Sequence, residues 1–161
     1  MQIRYLQATD FAEVCQIEQE NFIPEEQIAV EILADYCQTA TISLAIADED
    51  QLAAYLLVKS LPTATFTDKI YTEIGSLTEA GRYLGVASLS VATRYQGQGL
   101  GTLLLASLKE VAVEQGLEGI VLTCHEELVA YYEKNGFEEV GLSASTFAGQ
   151  EWSEMLWIAP N

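Results

Sequence analysis

Lysine and arginine are scarce in this chain: seven stand against 24 aspartates and glutamates in 161 residues, a formal net charge of −17. Nucleic-acid binding draws its affinity from clustered cations that displace counterions, and Arg4, Lys59, Lys69, Arg82, Arg94, Lys109 and Lys134 form no such cluster in the sequence, so no nucleic-acid partner is expected. Histidine occurs once, as His125, and cysteine three times, at Cys15, Cys37 and Cys124, without a Cys-x-x-Cys pair. These are too few ligands for structural zinc and an odd number for a disulfide framework. Free thiols in a reducing compartment and no metal are the expectation. No apolar run approaches the roughly 20 residues that cross a membrane. Met1-Gln2-Ile3-Arg4-Tyr5-Leu6 enters a strand pattern directly, unlike a secretory leader. A cytoplasmic protein with no membrane partner follows as the plain expectation.

Half of the residues are hydrophobic, enough for one domain over 1–161 to bury a core without disulfide or metal support. Ile3 to Gln7 reads as a strand, and Thr9 as the cap of a helix through about Asn21, with Phe11, Val14 and Ile17 on one face. Pro24 suits the first position of a second helix carrying Ile28, Ile32, Leu33 and Tyr36. Thr41 to Ala47 and Leu52 to Ser60 read as a hairpin about Asp48-Glu49-Asp50. Leu61 to Gly81 lacks periodicity, and a loop of that length is usually functional or mobile, able to gate or line a substrate site. A strand over Tyr83–Thr93, a helix from about Gly99 to Gln115, a strand over Gly119–Cys124, a helix over Glu126–Asn135 and a strand pair about Ala148-Gly149-Gln150 complete the pattern.

The most informative stretch joins the third of these groups to its helix: Leu89-Ser90-Val91-Ala92-Thr93-Arg94-Tyr95-Gln96-Gly97-Gln98-Gly99-Leu100-Gly101-Thr102. A strand that ends in alternate glycines and opens a helix is built for an anion. Glycine lets backbone N–H groups approach it, and the first helical turn adds unpaired donors and the positive dipole end. A P-loop needs Lys after its last glycine, and none follows Gly101. A dinucleotide fingerprint needs Gly-x-Gly-x-x-Gly, whereas these glycines stand two apart with Thr102 beyond. In so acidic a chain, the phosphate must be held by backbone amides rather than by charge. The acidic surface itself either draws in a cationic amine or serves solubility.

Gln96-x-x-Gly99-x-Gly101 resembles the Gln/Arg-x-x-Gly-x-Gly/Ala acyl-CoA signature of the GNAT N-acetyltransferase superfamily. Glu127-Leu128-Val129-Ala130-Tyr131-Tyr132-Glu133-Lys134-Asn135-Gly136-Phe137 is similar to the segment that closes that fold. Within the superfamily the likeness is to the arylalkylamine N-acetyltransferase-like branch. It covers Val91 to Phe137 and continues weakly to Trp152-Ser153-Glu154-Met155. The resemblance implies an α/β fold (α+β with a mixed sheet) in one domain, ordered β-α-α-β-β-β-α-β-α-β-β, the sheet splayed at the acyl-CoA site.

It also implies a function: transfer of an acetyl group from acetyl-CoA directly to a primary amine of a small molecule. The alternatives are a peptide or protein amine as acceptor, or a non-catalytic CoA-binding sensor. The residues implied for the cofactor are the backbone of Leu89 and Val91, with Gln96, Gly97, Gln98, Gly99, Gly101 and Thr102 around the pyrophosphate and Arg94 or Gln96 at its rim. Tyr132 matches the family's general acid, although Tyr131 adjoins it; a packed aromatic is the plainer alternative. Phe22, Pro24 and Trp152 stand where that branch forms an apolar pocket for the amine, with core packing as the other reading. The strand ahead of the loop departs from the branch, since Gly85 and Ala87 occupy the places of its two histidines. A base then comes through water or from Glu18, Glu20, Asp68 or Glu73. His125 reads as a helix-start or surface residue, Cys124 as a structural thiol, and Glu25 and Glu26 as helix-dipole partners first, amine ligands second. Family members often dimerise through C-terminal strands, and the Met155-Leu156-Trp157-Ile158 run permits a homodimer.

Overall fold

Strand after strand in this chain carries apolar residues on both faces, which requires a sheet covered on both sides. The computed structural model describes residues 1–38 and 42–160 and contains such a sheet. Its strands are β1 (Gln2–Tyr5), β2 (Leu44–Asp48), β3 (Gln51–Leu61), β4 (Tyr83–Val91), β5 (Gly119–Cys124), β6 (Glu138–Leu142) and β7 (Ser153–Ile158), in the order β1-β2-β3-β4-β5-β7-β6. All neighbours are antiparallel except β4 and β5. The helices are α1 (Phe11–Asn21), α2 (Val30–Gln38), α3 (Lys69–Thr72), α4 (Leu100–Glu114) and α5 (Val129–Lys134). The core runs along the middle of the sheet, where Tyr55, Leu56, Leu57, Leu104, Leu105 and Leu108 are inaccessible to solvent.

Two features of β4 shape everything that follows. Its parallel pairing with β5 lasts only three residues, Tyr83–Gly85 against Gly119–Val121, after which the strands part. On its other edge the register against β3 shifts between Leu57 and Val58, so that Leu57 meets Ser88, Val58 meets Val86, and Ala87 is left unpaired as a bulge. Beyond the bulge, Ala92 N–H donates to the Ala53 carbonyl at 2.8 Å. Backbone groups alternate along a strand, so those of Ser90 and Ala92 face β3 while those of Leu89 and Val91 face the gap. Side chains alternate as well: Ser88 Oγ donates to Glu18 of α1, whereas Leu89 packs near Gly101 of α4. Thus α1 and α4 lie on opposite faces, with the gap between β4 and β5 opening between them.

Several boundaries differ from those the sequence suggests. Thr9 caps nothing; a 3-10 turn over Ala8–Asp10 precedes α1, and Asp10 accepts from the Gln7 N–H and holds Arg4 in a bidentate pair. The helix expected from Pro24 is broken in two, a 3-10 turn at Pro24–Glu26 and then α2, because Ile28 is drawn into the core by its backbone bond to Glu18. The helix expected from Glu126 likewise begins as a 3-10 turn, Glu126–Leu128. The hairpin forms with Asp48 opposite Gln51 and Glu49 in the left-handed region, but its first strand starts at Leu44, and Thr41 lies outside the described residues.

The long segment 62–82 is anchored rather than loose. Phe66 and Ile70 are buried in the core. Lys59 Nζ pairs with Asp35 at 3.0 Å and donates to the Glu73 carbonyl at 2.7 Å, while Asp35 accepts from the Gly75 N–H. Asp68 accepts from Ser145 Oγ at 2.5 Å and from the Thr146 N–H at 3.1 Å. The segment is thereby clasped to the connection between β6 and β7. The Met155–Ile158 run is mostly interior: β7 lies between β5 and β6, and Met155 is inaccessible, so only Ile158 of that run is prominently exposed. Among the described residues no helix is long and apolar enough to cross a membrane.

Candidate active site

The glycine loop has the geometry that its composition demands. Gly97 and Gly99 have φ of +80° and +79°, a conformation that costs any residue with a Cβ roughly 1–2 kcal/mol. Gly101 has ordinary backbone, but a Cβ there would meet the Tyr131 hydroxyl at 2.6 Å, so its smallness admits the neighbouring helix. A 3-10 turn at Thr93–Tyr95 carries β4 into the loop, and α4 starts directly after Gly99. The Asn21 Nδ2 and Gln96 Nε2 amides both donate to the Val91 carbonyl, at 2.9 and 3.1 Å, and fix the loop to the end of the strand.

A cleft of about 450 Å³ follows the open edge of β4 into this loop. Leu89, Val91, Gln96, Gly97, Gly99, Gly101 and Thr102 all line it, as the sequence suggests. Gln98 does not, being exposed at the tip of the loop. Arg94 lies outside it too, in a separate groove beside Glu13 and Glu20, with its guanidinium over the Tyr95 ring. Tyr131 is a wall of the cleft that sequence reasoning had only as a rival of Tyr132. The structure separates the two: Tyr131 points at the helix start, its hydroxyl 3.4 Å from Thr102 Oγ1, whereas Tyr132 is buried at the point where strands β4 and β5 part.

Past that point lies a second, smaller cavity of about 120 Å³. It shares Phe22, Leu89, Leu128 and Tyr132 with the cleft, so the two spaces meet at Tyr132. Burial pushes the Tyr132 phenol well above its ordinary value, with Cys124 and Tyr131 adding to the effect, and it stays protonated throughout the neutral range. Cys124 is buried on the same wall, and burial raises its thiol to about 11, which makes it inert rather than nucleophilic.

The outer wall of this pocket is aromatic. Tyr71 and Phe147 stack at 4.0 Å, held together by the Asp68 clasp, and Trp152 lies 6.2 Å from Phe147 and donates its Nε1–H to the Phe147 carbonyl. Phe22 and Trp152 both line this pocket. Pro24 does not: it is exposed on its 3-10 turn, and the neighbouring Glu26 reaches the pocket instead. Tyr71 and Phe147 carry no sequence signal, since one sits in the aperiodic segment and the other before a tight turn with Ala148 at positive φ.

Among the four carboxylates considered for a base, only Glu18 lines the pocket. It is almost fully buried; Oε1 accepts from Tyr55 at 2.6 Å and Ser88 at 3.2 Å, and Oε2 accepts from the Ile28 N–H at 3.0 Å. Burial raises its carboxyl above the usual range, and these three bonds offset part of that rise. Asp68 is spent on its clasp, Glu20 accepts from Thr93 in the separate groove, and the backbone of Glu73 anchors Lys59. His125 is not simply a surface residue. It starts the turn before α5, but its ring lines the pocket, lies 4.3 Å from the Trp152 ring and sets Nε2 2.7 Å from Glu26 Oε1.

A family model described as the acetyltransferase (GNAT) family matches residues 11–137, the stretch from the start of α1 to the end of the α5 segment. Glucosamine 6-phosphate N-acetyltransferase of Candida albicans is 31% identical over 55% of this chain; the match spans 59% of that relative, less than two thirds of its length. Serotonin N-acetyltransferase of Mesocricetus auratus is 28% identical over 96% of this chain and 75% of its own. Among solved structures, the GNAT-like decarboxylase GphF in complex with isobutyryl-CoA superposes with a TM-score of 0.82 over 99% of this chain and all of that one, at 12% identity, a likeness of fold. The family model spans well over half of the chain: the chain belongs to the GNAT acetyltransferase family.

Proposed function

We propose that the protein is an acetyl-CoA-dependent N-acetyltransferase that acts by direct transfer to a primary amine of a small molecule. The observation that carries this reading is the meeting of two cavities at one buried phenol: a cleft along a free strand edge, and a smaller aromatic-walled pocket, with Tyr132 between them. The residues present fit the carrier. The turned-out backbone of Leu89 and the N–H of Val91 offer an extended arm the pairing that β5 gives up, although the Val91 carbonyl already accepts two amides. The left-handed Gly97 and Gly99, Gly101 and the first turn of α4 offer N–H groups to a pyrophosphate without help from lysine or arginine.

When bound, acetyl-CoA supplies the acyl group as an activated thioester. Tyr132 is the proton donor to the departing thiolate, a role that its protonated hydroxyl, placed where the two spaces meet, allows. The pocket walls select the acceptor. Phe22, Tyr71, Phe147 and Trp152 favour an aromatic or alkyl body, Glu18 and Glu26 favour the cation, and among the described residues no lysine or arginine lines the pocket to receive a phosphate. That supports an amine of the kind named for the serotonin enzyme over a phosphorylated sugar. The small size of the pocket, about 120 Å³, likewise supports a small molecule over a peptide.

Thiol release measured with acetyl-CoA across aryl and alkyl amines, polyamines, glucosamine 6-phosphate and peptides tests this directly. Turnover is expected to be fastest with apolar primary amines. Tight CoA binding without turnover of any acceptor would leave only a CoA-binding sensor.

A further inference from the structure

We infer that His125, paired with Glu26, is the general base that removes the first proton from the acceptor, an inference that rests on the amine-acetylating reading above. A primary amine with a pKa near that of lysine, about 10, arrives as an ammonium at neutral pH and has no lone pair with which to attack. Gly85 and Ala87 cannot accept its proton, and Glu18 already accepts three hydrogen bonds. His125 is differently placed. A carboxylate only accepts, so the 2.7 Å contact with Glu26 Oε1 puts the imidazole proton on Nε2 and leaves the lone pair on Nδ1. The Trp152 ring, 4.3 Å away and inclined by 30°, holds the imidazole plane, and the Leu128 N–H bond to the His125 carbonyl holds its backbone.

Histidine and carboxylate both line the 120 Å³ pocket that reaches Tyr132. An acceptor amine placed in this pocket lies beside the ring, within reach directly or through water. The proton balance closes on these residues. An ammonium loses two protons on becoming an amide: one passes to Nδ1, forms an imidazolium paired with Glu26 and leaves to solvent, and the other replaces the proton that Tyr132 gives to the thiolate. The titratable groups facing the ring from the surrounding elements are Glu18, Glu26, Tyr71, Cys124 and Tyr132, with Glu126 and Glu127 on its own turn.

Because His125 is the only histidine, its imidazole resonance reports on one site in the whole protein. The acidic limb of kcat/KM for an alkylamine is expected to share its midpoint with the NMR titration of that resonance. His125→Gln preserves an amide that can reach Glu26; it is expected to lower kcat/KM about 100-fold with an alkylamine, and less than about 3-fold with an aniline or hydrazine that is already neutral at the assay pH. Glu26→Gln is expected to cost about 10-fold with the alkylamine, because the imidazolium loses its counter-charge. Unchanged CoA affinity verifies that each variant is folded. Equal losses with basic and neutral acceptors, or an acidic limb that survives in His125→Gln, would overturn the role while leaving the acetyltransferase reading intact. A wild-type chain that acetylates neither acceptor would end both.

Discussion

The wall of the carrier cleft comes largely from one stretch, residues 89–102, and much of it is backbone; the acceptor pocket draws its side chains from α1, the Pro24–Glu26 turn, α3, the end of β5, α5 and the connection before β7. On the proposed function, the first surface recognises what every acyl-CoA shares, a pyrophosphate and an amide-bearing arm, with groups that every residue has. The second then has to tell one amine from another, and that takes side chains brought together from distant places. The bulge at Ala87 and the parting of β4 from β5 mark the seam between them, and Tyr132 sits on the seam.

The largest effect is expected at the seam itself. Tyr132→Phe removes only the hydroxyl from a buried ring packed against Phe137 and Tyr131, so the fold survives. Its kcat is expected to fall by about 10²–10⁴, the range for loss of a general acid, with CoA affinity within about 2-fold of wild type. Stopped-flow turnover with calorimetric titration of CoA separates the two quantities. If CoA affinity fell along with kcat, Tyr132 would belong to the carrier side alone.

The carrier side should respond to backbone changes and ignore side chains. Gly99→Ala forces a Cβ into a left-handed conformation that costs about 1–2 kcal/mol, which is expected to weaken CoA binding about 5- to 30-fold as the loop rearranges. Gln98→Ala, at the exposed tip, is expected to leave it unchanged. The reverse holds across the seam. Phe147→Ala removes the ring stacked on Tyr71 and set against Trp152, worth about 0.5–1.5 kcal/mol beyond buried area, and is expected to raise KM for an aromatic amine about 3- to 10-fold without affecting KM for acetyl-CoA. A shift in both constants would erase the distinction between the two surfaces.

The same division explains how much could be read in advance. Apart from the short α3, the element order, β5 and the glycine loop are legible because each is a local pattern: β-branched runs, helical spacing, glycines two apart. Tyr131 and Tyr132 adjoin in sequence, and only the packing of α5 sets the Tyr131 hydroxyl beside Thr102 and buries Tyr132. Pro24 lies outside the pocket because the helical pattern that it opens breaks after one turn, where Glu18 captures the Ile28 N–H, a bond spanning ten residues. His125 looked idle because its partners, Glu26 and Trp152, lie 99 residues before it and 27 after it. No spacing rule connects them. Tyr71 was hidden in an aperiodic segment whose order comes from the Lys59–Asp35 pair and the Asp68 clasp, both made with distant elements.

Glu18 offers the smallest and most local way to sharpen the comparison, since it belongs to the acceptor side yet is wired into the core. Its carboxyl is raised in the folded protein, burial outweighing the bonds from Tyr55, Ile28 and Ser88. A group whose pKa is higher folded than unfolded favours the native state while it is protonated. Its contribution is whole below the unfolded carboxylate value, about 4.3, and is lost as pH rises through the folded one. Glu18 thus works against stability at neutral pH, opposite to Asp10, whose pairing with Arg4 lowers its pKa and whose contribution is lost on acidification. Glu18→Gln carries no such charge and can still accept from Tyr55. The melting temperature of this variant relative to wild type is expected to climb as pH rises above about 4 and to level off once the folded-state carboxyl is ionised. A difference that stays flat with pH would mean that the Glu18 carboxylate is already well solvated by its three donors, and that the pocket floor is as polar as the cleft.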